Sequence, residues 1–309
     1  MNKNLLSIFD LSAREAWDLL ALAKKLKAGK RNRTNLAGKT LGLIFEKPST
    51  RTTVSFAVAM YQLGGFPLIL NAENLQRKRG ETIQDTARTL SRYLDGIMIR
   101  AFRHDDVEEL ARWSSIPIIN GLTNREHPCQ VLGDILTIIE KRKIKSLAAL
   151  KKIKVVFVGD GNNVAGSWIA AAAVFGFSFT LAGPKKGYGP DKKILDKALD
   201  MARKSGGRIS IDNDPERAVH GADVLYTDVW TSMGDEAQHE KRTIIFQPYQ
   251  LNARLLSYAK KDCLVMHCLP AIRGEEITAE VLEGRNSVVF DEAENRLHIQ
   301  KAILTTLLG

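Results

Sequence analysis

Cysteine is scarce in this chain: Cys129, Cys263 and Cys268 are the whole complement. An odd number without Cys-x-x-Cys spacing excludes a disulfide framework and a structural zinc site. It points to a reducing compartment, so a cytoplasmic location is expected. Aromatic residues are also few, at 7%. The net charge of +10 lies in runs at residues 24–33, 77–79 and 141–154, and these runs are not interleaved with aromatic rings. A nucleic-acid stacking platform requires that interleaving. The surplus charge therefore reads as an attraction for small anionic substrates, and no nucleic-acid partner is expected. Long apolar runs are missing as well. The first residues hold no extended apolar stretch, so no signal peptide is expected. Residues 167–183 are nearly free of charge, but Gly176 interrupts them and alanine dominates them. A buried helix followed by a strand accounts for this stretch better than a membrane span, which takes about 20 residues.

What is present is a strong alternation. Hydrophobic residues make up 44% of 309, enough for one large or two medium cores. Short apolar strands are expected at 41–45, 67–70, 96–99 and 116–119, then at 153–158, 177–181, 208–211, 224–227, 263–266 and 287–290. Helices are expected at 11–28, 81–94, 107–113, 131–143 and 295–308, and also after Ser49, where Val54, Val58 and Tyr61 share one face before Gly64-Gly65. The lysine-rich segment up to residue 152 separates two halves. This alternation predicts an α/β fold of two domains, each a parallel sheet flanked by helices. Ligands in such sheets bind beyond the C-terminal strand ends. Polar residues gather there in both halves, which predicts an active site in the cleft between the domains, with one substrate per domain.

The stretch Phe45-Glu46-Lys47-Pro48-Ser49-Thr50-Arg51-Thr52 stands where a strand turns into a helix. The first N–H groups of a helix lack internal partners, and the helix dipole is positive there. Hydroxyls and a guanidinium at that point make an anion cradle suited to phosphate. Ser49 as a plain N-cap is the simpler alternative. Arg51 favours the cradle, because a cation beside a positive helix end is unfavourable unless an anion joins it.

Other candidates follow strand ends. Arg100 closes an apolar strand, His127 is held extended by Pro128, and Gln130 lies three residues on. Asp228 could instead cap a turn, and Cys268 could be a small buried apolar residue. His267 and Cys268 resemble a thiol–base pair only superficially, since neighbouring strand residues point to opposite faces. The loop Gly159-Asp160-Gly161-Asn162-Asn163-Val164-Ala165-Gly166 invites a dinucleotide reading and fails it. The fingerprint G-x-G-x-x-G needs glycine where Val164 stands, and the acidic residue about 20 positions on is missing.

Taken together, these motifs resemble the ornithine branch of the aspartate/ornithine carbamoyltransferase family, from about Leu5 to Leu308. Ser49-Thr50-Arg51-Thr52 is similar to its carbamoyl-phosphate signature. Arg100 and His127-Pro128-Cys129-Gln130 are similar to its other phosphate and carbonyl contacts. Asp228-Val229-Trp230-Thr231-Ser232-Met233-Gly234 is similar to its D-x-x-x-S-M-G ornithine motif. His267-Cys268-Leu269-Pro270 is similar to H-C-L-P, and Arg296 falls in the A-E-N-R stretch.

The resemblance implies transfer of the carbamoyl group from carbamoyl phosphate to the side-chain amine of ornithine, giving citrulline and phosphate, with arginine biosynthesis and the reverse, catabolic direction both open. It implies a carbamoyl-phosphate-binding domain over residues 1–145, on which a C-terminal helix at 292–309 packs back, and an ornithine-binding domain over 150–291. It assigns carbamoyl phosphate to Ser49, Thr50, Arg51, Thr52, Gln76, Arg100, His127, Gln130, Cys268, Leu269 and Arg296. It assigns ornithine to Asn163, Asp228, Ser232 and Met233, and catalysis to Cys268, Arg51, Arg100, His127 and Asp228. It implies a homotrimer with sites shared between subunits, Gln76 reaching a neighbour's carbamoyl phosphate, and no metal or organic cofactor. Putrescine is the rival acceptor, because its amine end is chemically identical. Aspartate and acetylornithine are disfavoured by the Ser232-Met233-Gly234 motif, and aspartate also by Cys268. One departure stands out: the resemblance expects arginine at Thr53 and glutamate at Ala57.

Overall fold

A computed structural model describes residues 3–29, 35–231 and 236–309. The chain forms two compact units, residues 1–136 with 294–309, and residues 137–293.

In the first unit the strands β1 (Thr40–Phe45), β2 (Phe66–Asn71), β3 (Gly96–Arg100) and β4 (Ile118–Leu122) form a parallel sheet in the order β2-β1-β3-β4. The helices α1 (Ala13–Ala28), α2 (Thr50–Gln62), α3 (Ile83–Leu90) and α4 (His104–Trp113) connect and flank these strands, and α5 starts at Pro128 and ends at Lys141. Parallel strands covered on both faces read as unbroken apolar runs. Accordingly every residue of β3 is buried, while the edge strand β2 is exposed or half-buried.

The second unit holds β5 (Lys154–Val158), β6 (Ser178–Ala182), β7 (Arg208–Asp212), β8 (Val224–Thr227) and β9 (Leu264–His267), parallel, in the order β7-β6-β5-β8-β9. Its helices are α6 (Leu147–Leu150), α7 (Asn163–Phe175), α8 (Lys192–Ser205), α9 (Pro215–Val219), α10 (His239–Phe246), α11 (Ala253–Ser257) and α12 (Ala279–Leu282). The last helix, α13 (Val289–Leu308), belongs to the first unit from Glu294 onward.

The charge-free stretch after Ser167 is buried helix and then strand. From Val164 to Phe175 every residue of α7 is buried, Gly176 caps it with φ 83°, and Trp168 packs edge-on against Phe177 and Tyr226, with ring centroids 6.0 and 5.5 Å away. No helix among the described residues is long and apolar enough to cross a membrane.

Register positions the chemistry. Phe45 pairs with Arg100, so β1 and β3 end level, and Val158 pairs with Thr227, so β5 and β8 do too. In each sheet the chain winds outward in opposite directions from that central pair, the topological switch point where a ligand crevice opens.

One sequence expectation fails here. Residues 287–290 are not a strand: Ser287 makes a single bridge to Val265, and α13 already begins at Val289. Asp291 and Glu292 fall in its first turn, where the dipole favours acids. The face of α2 bearing Val54, Val58 and Tyr61 is not the core face. Thr52, Phe56, Ala59 and Met60 are buried instead, and Tyr61 is 76% exposed. Both sides of α2 are apolar, so periodicity alone could not choose between them.

Candidate functional site

In the first unit, Ser49 caps α2 and its hydroxyl accepts the Thr52 N–H at 3.3 Å. Thr50 is exposed and Thr52 is buried. The Thr52 hydroxyl accepts a hydrogen bond from Arg296 Nη2 at 3.2 Å. Another nitrogen of the same guanidinium donates to the side-chain oxygen of Gln130, whose amide nitrogen donates to Asp134 at 2.8 Å. Arg296 is buried on α13, and Arg100 is buried at the end of β3. His127 is buried beside them. Its pKa is pushed well below the usual histidine value by burial first, then by the guanidiniums of Arg296, Arg100 and Arg51. The imidazole is thus neutral among three cations, a surplus of positive charge that suits a dianion. Six of the residues assigned to carbamoyl phosphate beside Arg51 therefore come together: Ser49, Thr52, Arg100, His127, Gln130 and Arg296. Gln76 lies apart, exposed at the start of the 3₁₀ turn Gln76–Arg79.

In the second unit Asp228 follows β8 directly, and its carboxylate is buried. One oxygen accepts Asn162 Nδ2 at 2.7 Å; the other accepts the Val229 N–H at 2.8 Å and the Cys268 thiol at 3.0 Å. Asn162 is held in turn, because its side-chain oxygen caps α7 through Val164 N at 2.9 Å and Ala165 N at 3.1 Å. Asn163 opens that helix and is half-buried. The close turn needs glycine twice. Gly159 has φ 137°, and a Cβ on Gly161 would lie 2.4 Å from the Gly189 backbone. These glycines serve chain packing, in keeping with the failed dinucleotide fingerprint.

His267 ends β9 and Cys268 follows it, and the two bond different partners. Cys268 reaches Asp228, whereas the fully buried His267 bonds Glu276 through Nε2 at 2.9 Å and accepts the Leu269 N–H on Nδ1 at 2.9 Å. That pattern assigns the proton to Nε2. Leu269, with φ 55°, carries the chain away from the pair. Ligand atoms of Asp228, His267 and Cys268 lie within 4.8 Å of one another, the kind of donor set that could hold a soft cation. Both imidazole nitrogens are already engaged, which leaves only the thiol and the carboxylate. Ser232 and Met233 lie outside the described residues.

Sequence reasoning placed Asn162 at a strand end without giving it a role, and it missed two further supporting groups. Asn162 had a readable signal, an asparagine at a helix N-cap after a strand. Glu276 had none, because its pairing with His267 is tertiary. Arg242 on α10 also had none: it is buried, donates to the Trp230 carbonyl and to Asp160, and lies over Tyr188 and Phe246, 5.0 and 5.3 Å from the ring centroids.

Comparison with known proteins agrees with this geometry. Residues 3–140 match the family described as "Aspartate/ornithine carbamoyltransferase, carbamoyl-P binding domain", and residues 151–307 match its "Asp/Orn binding domain". A relative from Syntrophus aciditrophicus named "Ornithine carbamoyltransferase" is 54% identical, with 100% of both chains covered. One from Pyrococcus furiosus named "Ornithine carbamoyltransferase, anabolic" is 52% identical, covering 99% of this chain and 96% of its own. The solved ornithine carbamoyltransferase from Pyrococcus furiosus superposes with a TM-score of 0.93 at 52% identity, over 99% of this chain and 97% of that one. That from Gloeobacter violaceus gives 0.89 at 47%, over 100% and 99%. With both family domains matched in order and relatives of this similarity over its whole length, the chain belongs to the aspartate/ornithine carbamoyltransferase family.

Proposed function

We propose that this chain transfers the carbamoyl group of carbamoyl phosphate to the side-chain amine of L-ornithine, forming L-citrulline and phosphate. The observation that carries the reading is the set of relatives named for that activity at about half identity over the full chain. The same names favour ornithine over putrescine as acceptor, and the word "anabolic" for the Pyrococcus furiosus relative favours the citrulline-forming direction.

The residues carry the chemistry as follows. Arg51, Arg100, Arg296, His127 and the α2 amides with Ser49, Thr50 and Thr52 hold the phosphate and offset its charge. Arg51, Arg100 and His127 also stabilise the charge that grows on the carbonyl oxygen, usually the largest catalytic contribution. Asp228 and Cys268 hold the ornithine amine, and Asn163 with the Ser232-Met233 segment holds its amino-acid end. An alkyl amine with a pKa of about 10.4 must shed a proton before it attacks. The N–C bond then forms, the C–O bond to phosphorus breaks, and phosphate leaves with a proton from the amine. No metal or organic cofactor takes part.

A cytoplasmic homotrimer with shared sites completes the proposal. Exposed apolar residues support a subunit contact in the first unit: Val54 and Tyr61 on α2 and Phe66 and Ile69 on β2 are each more than half exposed. Gln76, exposed after β2, is the residue proposed to reach a neighbour's carbamoyl phosphate. Radiolabelled carbamoyl phosphate offered with ornithine, putrescine, acetylornithine or aspartate tests the activity. Label in citrulline alone is expected, and faster labelling of putrescine would overturn the acceptor. Light scattering at assay concentration should give three times the chain mass; a monomer would refute the trimer.

A further inference from the structure

We propose that Arg77 is a positioning residue for the phosphate end of the first unit, an inference that rests on the carbamoyl-phosphate reading above. The starting point is Glu46, the first residue after β1. Its N–H donates to the Arg100 carbonyl at 2.9 Å, so it sits where β1 and β3 end together. One oxygen of its carboxylate accepts the Phe102 N–H at 2.9 Å, and the other accepts Arg77 Nη1 at 2.7 Å. A single carboxylate thus joins the ends of β1 and β3 to the turn that follows β2.

Glu46 stands three residues before Ser49, so its negative charge lies at the approach to a cradle that takes an anion. Left alone, that charge would oppose the phosphate. Arg77 offsets it, and its other terminal nitrogen reaches Asp106 Oδ2 at 3.4 Å, near the start of α4. The Arg77 and Glu46 side chains are only 23% and 14% exposed. A pair that shielded from water is screened less than a surface pair. Arg77 is also the second residue of the turn that opens with Gln76 and closes on Gly80, where φ is 96°. The same guanidinium therefore fixes that turn in place. Its loss has two consequences, an uncompensated carboxylate beside the cradle and a released Gln76 turn. Both fall on phosphate binding, and neither touches Asp228 or Cys268.

Steady-state kinetics of the full-length enzyme with Arg77→Met, Arg77→Lys, Glu46→Gln and the Arg77→Met/Glu46→Gln pair test this. Arg77→Met should raise KM for carbamoyl phosphate about three- to tenfold, the range of a shielded ion pair. KM for ornithine and kcat should stay within about twofold. Arg77→Lys should restore most of the affinity, because it keeps the charge. Adding Glu46→Gln to Arg77→Met should recover part of it by removing the opposing charge. An unchanged KM for carbamoyl phosphate overturns the inference. So does a parallel rise in both KM values with a lower Tm, which is what a merely structural residue would give. A wild-type enzyme that fails to carbamoylate ornithine at all refutes the underlying reading instead, and the two failures are told apart by that control.

Discussion

Replacing Asp228 by asparagine changes charge and hydrogen-bond direction at nearly constant volume. The two carboxylate oxygens take three donors, Asn162 Nδ2 on one side and the Val229 N–H and Cys268 thiol on the other. An amide keeps one oxygen and converts the other into a donor. With the oxygen on Val229 and Cys268, the new NH2 group faces the NH2 of Asn162, donor against donor. Asn162 cannot turn over to relieve this, since its own oxygen caps α7. The variant loses at least one charge-assisted hydrogen bond in a site only 8% exposed, about 1.5–3 kcal/mol. It also loses the charge proposed to hold the substrate amine. A fall in kcat/KM for ornithine of about 10²- to 10³-fold is expected, or about 2.7–4 kcal/mol. Tm should fall by roughly 3–10 °C. Calorimetric affinity for carbamoyl phosphate should hold, because Ser49, Arg51, Arg100, His127 and Arg296 are intact. An Asp228→Asn enzyme within about threefold of wild-type kcat/KM would refute the assignment. Equal losses for both substrates would show a general collapse instead of a lost amine contact.

Arg51→Ala should abolish detectable turnover and weaken carbamoyl phosphate binding in calorimetry, since the guanidinium acts in binding and in the transition state; near-normal kcat would sink the phosphate site. Cys268→Ser should lower kcat/KM for ornithine without eliminating turnover, because a hydroxyl can also donate to Asp228, and mass spectrometry should find no carbamoylated Cys268 in the wild type. The lowered pKa of His127 makes the unfolded chain bind more protons between the folded value and about 6.5, so its contribution to stability is complete above about pH 6.5 and is lost as pH falls through the folded value. His127→Gln should therefore flatten the acid side of the Tm–pH profile, and an unchanged slope would contradict the neutral buried imidazole. The Thr53 hydroxyl spends its one donor on the Ser49 carbonyl at 2.7 Å. Thr53→Arg and Ala57→Glu should each lower Tm, and the double variant should regain most of it with activity kept; a stable but inactive double variant would give Thr53 a role in the site.

How much of this was legible beforehand follows from the range of each interaction. The central strands announced themselves, since residues such as Ile97, Met98 and Ile99 are covered on both faces and need no alternation. The cradle was legible because it is local: Ser49 caps the helix whose first turn holds Thr50, Arg51 and Thr52. Asp228 and Cys268 were found as separate motifs, but their 3.0 Å contact joins positions 40 residues apart and no spacing rule encodes it. The Glu276 and Arg242 contacts are of the same tertiary kind. At residues 287–290 the apolar character was read correctly and the element was not, because a short apolar run can serve the first turn of a helix as well as a strand. The face of α2 bearing Val54 and Tyr61 is apolar yet exposed, and the proposed trimer would cover it.

The charges in the two half-sites also bear on where the proton goes. The leaving phosphate needs a proton, and the attacking amine must release one. His127 is the titratable side chain packed among the guanidiniums of Arg51, Arg100 and Arg296, and those cations together with burial keep it neutral. A neutral imidazole offers the carbonyl oxygen a hydrogen bond, and it has no surplus proton to give at neutral pH. On the amine side, the oxygens of Asp228 already accept three hydrogen bonds, one of them from Cys268. Among the described residues, neither His127 nor Asp228 is therefore poised as the acid or the base. In the proposed reaction the phosphate oxygens remain as acceptors, so we propose that the proton leaving the amine goes to the group that departs. On this proposal the protein's part is to place the two reactants and to stabilise charge, with positioned arginines and one well-held carboxylate. On that proposal, residues outside the assigned substrate contacts, such as Asn162 and Glu276, serve by being buried or held from two sides. They set the angles on which such catalysis depends.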